Sequence, residues 1–425
     1  MNLKRRNFIQ LSTLVAGSAV SSGFISVNNA GEISAERREI LHSMVQDVIP
    51  ISTEERKERL ARARQLMIQN RIRALIVEAG TALEYFTGIS WWPSERTMVA
   101  VIPASGEIAY ICPGFEEARF RELITIGKKV YIWQEDESPY EQIIRALIDS
   151  DISSGRIGIE EQLRFFIFDG IRKAGPTMEY VSGDPVTVPC RMIKSAAELA
   201  LMQKATDITV AAMKLGISSL KEGISPGEIS SIINKAHAQM GARPDFALIL
   251  FGVSSALPHG SIKPQSLKKG DIVLMDCGCK VEGYCSDITR TIVFGAEPTA
   301  RQLEIWNLEQ KSQVAGFAAA RIGIPCEQVD AAARKIITDA GFGPGYKLPG
   351  LPHRTGHGIG MDGHEWGNMV KGNQQPLKTG MCFSIEPTIA IPGEFGVRLE
   401  DCVYMTEEGP KWFSQPAISI DKPFA

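Results

Sequence analysis

Histidine is scarce in this chain, with six among 425 residues. A block of one charge sign is missing too: the net charge is −3, charged residues make up 22%, and no basic run follows residue 10. Such a chain offers no electrostatic track for a nucleic acid and no polybasic face for a membrane surface. Internal repeats and low-complexity tracts are absent. So are long apolar runs near the start, where LSTLVAGSAV is too short and too rich in Gly, Ser and Ala to span a bilayer. What remains is the size of a soluble enzyme of about two to three domains.

Hydrophobic patterning divides the chain. Residues 31–53 read as a polar lead-in or linker. Residues 54–70, EERKERLARARQLMIQN, predict an amphipathic helix. Short apolar runs then alternate with helical segments: RALIVEA, TMVAVIPA, EIAYICP and KKVYIW, a helix over 139–149, RIGIE, a helix over 164–174, and MEYVS. That alternation predicts an α/β domain over 54–188, with Pro185 and Pro189 punctuating its end. Residues 189–425 predict helices near 196–221, 226–240, 299–322 and 325–341 around two β-hairpins. Helices backing a curved antiparallel sheet make this an α+β domain.

Chemistry concentrates in those hairpins. GDIVLMDCGCKVEGYCSDITRTIVFG alternates around Glu282-Gly283, a turn signal. The turn places Asp276 and Asp287 on one face, as a direct or near-diagonal cross-strand pair. Like charges there are destabilising unless a cation or proton is shared. MCFSIEPTIAI and VRLEDCVYM repeat the device around Pro392-Gly393, with Glu386 and Glu400 symmetric about Gly393. His357 lies in TGHGIG, where glycines allow close backbone approach to whatever the imidazole binds. Four of the six histidines (His259, His353, His357, His364) fall beside these carboxylates. The set suits two divalent ions roughly 3.5–4 Å apart. Four carboxylates balance two such ions and leave room for one hydroxide. An oxygen-dominated shell favours Mn²⁺, Fe²⁺ or Co²⁺ over thiolate-rich zinc settings. Cys277, Cys279 and Cys285 crowd the first hairpin but alternate away from Asp276, as small hydrophobes behind the sheet.

HRTGHGIGMDGHE (353–365), SIEP, VRLED and the entry RMIKSAAELALMQKA (191–205) resemble the metal-dependent pita-bread peptidases. That group includes prolidase, aminopeptidase P and methionine aminopeptidase, and the first two are the more similar. Residues 55–185 resemble the creatinase-type N-terminal domain, mainly by position and alternation. The resemblance implies that Asp276, Asp287, His357, Glu386 and Glu400 hold two divalent ions, manganese first, with Co²⁺, Fe²⁺ or Zn²⁺ as alternatives. It implies a bridging hydroxide as nucleophile, Glu386 as proton shuttle and His364 as oxyanion stabiliser. His353 and His259 would contact substrate, and Arg398 would support the carboxylates or the substrate. The implied partner is a small peptide with proline at P1′. A homodimer is also implied, in which Trp91 or Trp92 helps close the partner's S1 pocket; plain core packing is the alternative for these two. One position departs from the pattern: Thr388 stands where glycine often follows the Glu-Pro pair. Other hydrolases or lyases on the same scaffold stay open, as does a binding module, although such modules lose ligands.

The N-terminus has its own signature. Lys4-Arg5-Arg6-Asn7-Phe8-Ile9-Gln10, followed by a mildly apolar stretch, resembles a twin-arginine export signal over residues 1–30. It implies the twin-arginine machinery as a partner and a periplasmic location. Cleavage near Ala30 would put Asn28 at −3, a poor small-residue match, so an uncleaved anchor stays open. Export of a folded enzyme also weakens any inference from eight cysteines to disulfides.

Overall fold

A computed structural model describes residues 42–424. The twin-arginine-type segment and most of the polar lead-in lie outside the described residues. The described end of that lead-in forms no helix or strand before Ser52, but Met44 donates its N–H to the Met240 carbonyl at 2.9 Å. No helix among the described residues is long and apolar enough to cross a membrane.

Ser52 accepts from the Glu55 N–H at 3.1 Å and caps the helix Thr53–Gln69, whose first turn is acidic. Six strands follow: β1 (Ile72–Glu78), β2 (Val99–Pro103), β3 (Ala109–Pro113), β4 (Lys129–Trp133), β5 (Gly155–Ile159) and β6 (Met178–Ser182). They form one mixed sheet in the order β4-β3-β2-β1-β5-β6. β2 and β3 are buried at every position, which is why they read as unbroken apolar runs. Helices Pro139–Ile148 and Phe165–Ala174 cover the sheet, packing Ile143, Leu147 and Ile167 against Ile76, Val101 and Ile111. The prolines expected to mark a junction instead lie in a helix, Asp184–Met192. Pro185 sits in its first turn, where a missing N–H leaves no bond unmade, and Pro189 is accommodated inside the helix.

In the C-terminal domain, helices Ala196–Ser218, Pro226–Gln239 and Ala300–Ala319 each begin on a capping box. The pairs are Ser195 with Glu198, Ser225 with Glu228, and Thr299 with Gln302. A fourth helix spans Glu327–Asp339. The strands are β7 (Arg243–Phe251), β8 (Ile272–Val281), β9 (Tyr284–Cys285), β10 (Ile288–Val293), β11 (Gly356–Gly358), β12 (Glu365–Met369), β13 (Cys382–Ile385), β14 (Thr388–Ile391), β15 (Phe395–Arg398), β16 (Asp401–Thr406) and β17 (Gly409–Trp412). One sheet runs β10-β8-β7 with β9 on β8, another β12-β11-β13-β16-β17, and β14 pairs β15. An antiparallel bridge between Thr289 and Glu400 joins the first sheet to the second hairpin.

Register then sets the site. Glu282 and Gly283 both take positive φ (46° and 85°), the two-residue hairpin turn expected there. Val281 pairs Tyr284 and, in the same register, Asp276 pairs Thr289. Asp287, two residues before Thr289, is therefore diagonal to Asp276 on one face. The ladder opens locally where Ser286 Oγ, in place of a backbone carbonyl, accepts the Cys279 N–H at 3.1 Å. In the second hairpin Thr388 pairs Arg398 and Ile385 pairs Asp401, which sets Glu386 across from Glu400. Asp276, Thr289, Glu400 and Glu386 thus form one row across four chain segments. The alternate residues Val397 and Leu399 turn the other way, into a core with Ile305, Trp306 and Ile389. Each such burial contributes about 1.5–3 kcal/mol and holds the polar row outward.

Candidate metal centre

All five candidate ligands, together with His259, His353, His364 and Arg398, border one cavity of about 550 Å³. Asp287, His357 and Glu400 are buried, each offering a ligand atom within 4.8 Å of the others. Thr289 donates its hydroxyl to Glu400 Oε2 at 2.6 Å and accepts from Arg398 Nε at 3.1 Å. Arg398, 4% exposed, pairs with Asp276 Oδ2 and also reaches the Pro258 carbonyl at 3.3 Å. It therefore serves Asp276; neither Glu400 nor Asp401 is its partner, and Asp401 pairs with Arg290 at 2.7 Å.

His357 arrives on a strand squeezed between two others. A Cβ on Gly356 would lie 1.9 Å from the Ser384 carbonyl, and one on Gly358 equally close to that of Trp366. The glycines flanking His357 thus admit neighbouring strands; the close approach is not to the imidazole's own ligand, as the sequence suggested. His357 Nδ1 lies 3.0 Å from the Gly358 carbonyl, an acceptor only, so Nδ1 carries the proton. Nε2 faces Glu386 Oε1 at 3.1 Å and Asp287 Oδ2 at 3.7 Å. Lone pairs opposed at that distance call for a proton or a metal cation between them. The backbone carbonyl also fixes the tautomer in the manner usual for a ligating histidine.

The carboxylates carry the same message. Burial pushes the Asp276 carboxyl up, with Arg398 opposing. Burial, then Glu400 and Asp276, push Asp287 well above the ordinary carboxylate range. Glu400 rises likewise through burial and the charges of Glu386 and Asp276. For Glu386 burial is outweighed by the charge and hydrogen bond of His357, which hold it down to about 2 when a proton occupies Nε2. Asp276 Oδ1 and Glu400 Oε1 are buried with no hydrogen-bond partner. Orphaned acceptors aimed into an acidic cavity fit divalent cations, and the oxygen-rich donor set fits hard ones.

Around this centre the histidines differ. His353 Nδ1 lies 2.7 Å from the Arg354 carbonyl, so Nε2 is the acceptor and takes the Thr388 hydroxyl at 3.0 Å. The residue standing in the usual glycine position is thus the partner of His353. Burial lowers the His353 pKa, keeping the ring neutral. His364 stacks on His357 at 3.8 Å between ring centroids. Its Nδ1 is 3.2 Å from Arg354 Nη2; a guanidinium only donates, so Nε2 carries the proton and is a donor. Partial burial, then His357, hold its pKa down to about 4. His259 is exposed on its loop at the cavity mouth. Trp91 and Trp92 do not border this cavity: Trp91 packs edge-on against Phe120 at 5.7 Å, while Trp92 is 83% exposed.

Two participants escaped the sequence reading. Thr289 was findable, being two residues beyond Asp287 on the same face. Arg354 was not, because its contact with His364 depends on how the loop between them folds. The eight cysteines are all free and buried. Cys279 meets Thr209 Oγ1 at 3.3 Å, behind the sheet as its alternation implied.

The model of metallopeptidase family M24 matches residues 200–407, and that of the Creatinase/Prolidase N-terminal domain matches residues 59–193. An uncharacterised peptidase of Schizosaccharomyces pombe is 35% identical over 383 residues, covering 86% of this chain and 82% of the relative. Among solved structures, prolidase from Thermococcus sibiricus is 29% identical with a TM-score of 0.78, covering 84% of this chain and 96% of that one. Xaa-Pro dipeptidase from Bacillus anthracis is 26% identical with a TM-score of 0.75, covering 87% and 99%.

Proposed function

Since the chain belongs to metallopeptidase family M24, whose enzymes use divalent metals, we propose that it hydrolyses Xaa-Pro bonds at the N-terminus of dipeptides or short peptides with two such ions. One observation carries the reading: five ligand-type side chains converge on one cavity, with His357 Nε2 facing two carboxylates and two carboxylate oxygens buried without a partner. Asp276, Asp287, His357, Glu386 and Glu400 would hold the ions. When bound, they would lower the pKa of a water from 15.7 to about 7 and so supply a nucleophile at neutral pH.

The chain's own groups do the rest. Ser384 donates to Glu386 Oε1 at 3.0 Å and orients it. A positive charge at His357 Nε2 keeps the Glu386 carboxylate ionised, and from there it would take a proton from the attacking water and pass it to the leaving nitrogen. His364 offers its Nε2–H toward the developing oxyanion, and a neutral ring already in place has little reorganisation left to make. His353, neutral and fixed by Thr388, and His259 at the mouth would border the substrate. Arg398 keeps Asp276 oriented. Proline at P1′ follows the named activities of similar structures, a prolidase and an Xaa-Pro dipeptidase.

The test is hydrolysis of Ala-Pro, Ala-Pro-Ala and Ala-Ala by purified protein with Mn²⁺ and after chelation. Metal-dependent release of alanine from the proline substrates alone supports the reading, and their ratio separates dipeptidase from aminopeptidase. Silence on all three with metal bound would move the substrate outside Xaa-Pro peptides.

A further inference from the structure

His364 sits on the irregular turn at residues 360–364, immediately before β12. That turn is fastened from outside its own domain. Asp362 Oδ1 accepts the Thr81 hydroxyl at 2.6 Å, and Oδ2 accepts Gln162 Nε2 at 3.3 Å and Arg191 Nη2 at 2.6 Å. Trp366 donates its indole N–H to Glu161. Thr81 opens the helix Thr81–Thr87, and Glu161 and Gln162 follow β5, so all three belong to the N-terminal α/β domain. Within the turn, Glu365 Oε1 accepts the Met361 and Asp362 N–H groups at 3.1 and 3.3 Å. Glu365 is itself held by Arg191 at 2.6 Å and Lys194 at 2.8 Å.

We propose that the N-terminal domain positions His364 through this clamp, with Thr81, Gln162 and Glu161 acting on Asp362 and Trp366 on either side of the histidine. These are positioning residues; none of them borders the metal cavity. Beyond the bonds from Arg191 and Lys194 to Asp362 and Glu365, His364 has little else to locate it. Its backbone is in no strand, and its ring is held by the stack on His357 and the Arg354 bond. A ring whose donor must meet an oxyanion tolerates little displacement, since misplacement by 1 Å can cost on the order of 100-fold in rate. The metal ligands need no such help, because strand register places Asp276, Glu386 and Glu400 from within the C-terminal domain.

The kcat part of the test rests on the proposed peptidase reading, whereas the ring signal does not. In the whole metal-free protein, the ring resonances of His364, assigned by comparison with His364→Gln, are compared between the parent and Thr81→Val/Gln162→Ala. The double variant should shift or broaden them while leaving Mn²⁺ affinity by calorimetry within about twofold. With Mn²⁺ bound, kcat on Ala-Pro should fall roughly tenfold, the lower end of what outer supporting residues contribute, with KM little changed. Thr81→Ser, which restores the hydroxyl, should recover the parent signal when paired with native Gln162. Should the double variant fail to fold, Trp366→Phe removes only the indole donor and is read the same way. An unmoved His364 resonance in the folded variant overturns the proposal, whatever the change in melting temperature. If no peptide is cleaved even by the parent, the resonance alone decides.

Discussion

The two walls of the cavity are built by different means. On one, Asp276, Thr289, Glu400 and Glu386 form a row dictated by strand register, and a one-residue slip would turn every member into the helical core. On the other, His364 hangs on a turn fastened by side chains as far as 281 positions away in sequence. The electrostatics are opposed as well. Burial lifts the carboxyls of Asp287 and Glu400, and their acidic neighbours lift them further. The Glu365 carboxyl in the clamp is equally buried, yet Lys194 and Arg191 hold it down to about 2. The first wall is therefore incomplete without cations; the second is complete as protein. The lesson is that a metal-holding wall and a donor-holding wall ask different things of a fold.

The two walls should differ most at the row. Asp287→Asn or Glu400→Gln should abolish metal retention and cost activity well beyond the about 10–100-fold expected for an outer partner, measured by elemental analysis and kcat/KM. His364→Ala should leave metal content unchanged while kcat falls about 10²–10³-fold, as for loss of one oxyanion donor. Metal loss in that variant would erase the distinction between the walls.

A pH series on the metal-free protein sharpens it further. Asp276, Asp287 and Glu400 have raised folded-state pKa values, so the folded chain binds more protons than the unfolded one. Their contribution is full below the unfolded value of about 4 and is lost as pH rises through the folded values. Glu365 has a lowered value, so its contribution is present above about pH 4 and lost as pH falls toward its folded value of about 2. The lowered His353 and His364 pKa values work the other way up to their unfolded value of about 6.5, so the fall is read above it: without metal, melting temperature should drop from about pH 7 to pH 8, and that slope should flatten when Mn²⁺ is added. The smallest effect is expected at Thr388→Val, which removes the hydroxyl serving His353 Nε2. A loss of about 1 kcal/mol in transition-state binding, read from kcat/KM, matches one neutral hydrogen bond.

How much of this was legible in the sequence follows from the same contrast. Register obeys local parity, so the diagonal Asp276/Asp287 pair and the facing glutamates could be read from a turn signal and alternation. The principal helices lay close to where periodicity put them, because capping boxes and apolar stripes are local. The helices Thr81–Thr87 and Asp184–Met192 and the strand β12 were not read. They are short or proline-bearing, and tertiary packing decides them. Likewise Arg354 and the clamp on Asp362 depend on contacts between segments no local pattern connects. The glycines beside His357 were noticed for the wrong reason, since the close approach is to Ser384 and Trp366.

Two divalent ions should complete the acidic wall and make it a peptidase. The most direct measurement is the initial rate of Ala-Pro hydrolysis as Mn²⁺ is titrated into chelated protein of known concentration. The rate should be negligible at first, climb with added metal and level off at two equivalents per chain. Hydrolysis that persists without metal, or a protein holding two ions that leaves Ala-Pro intact, would contradict it.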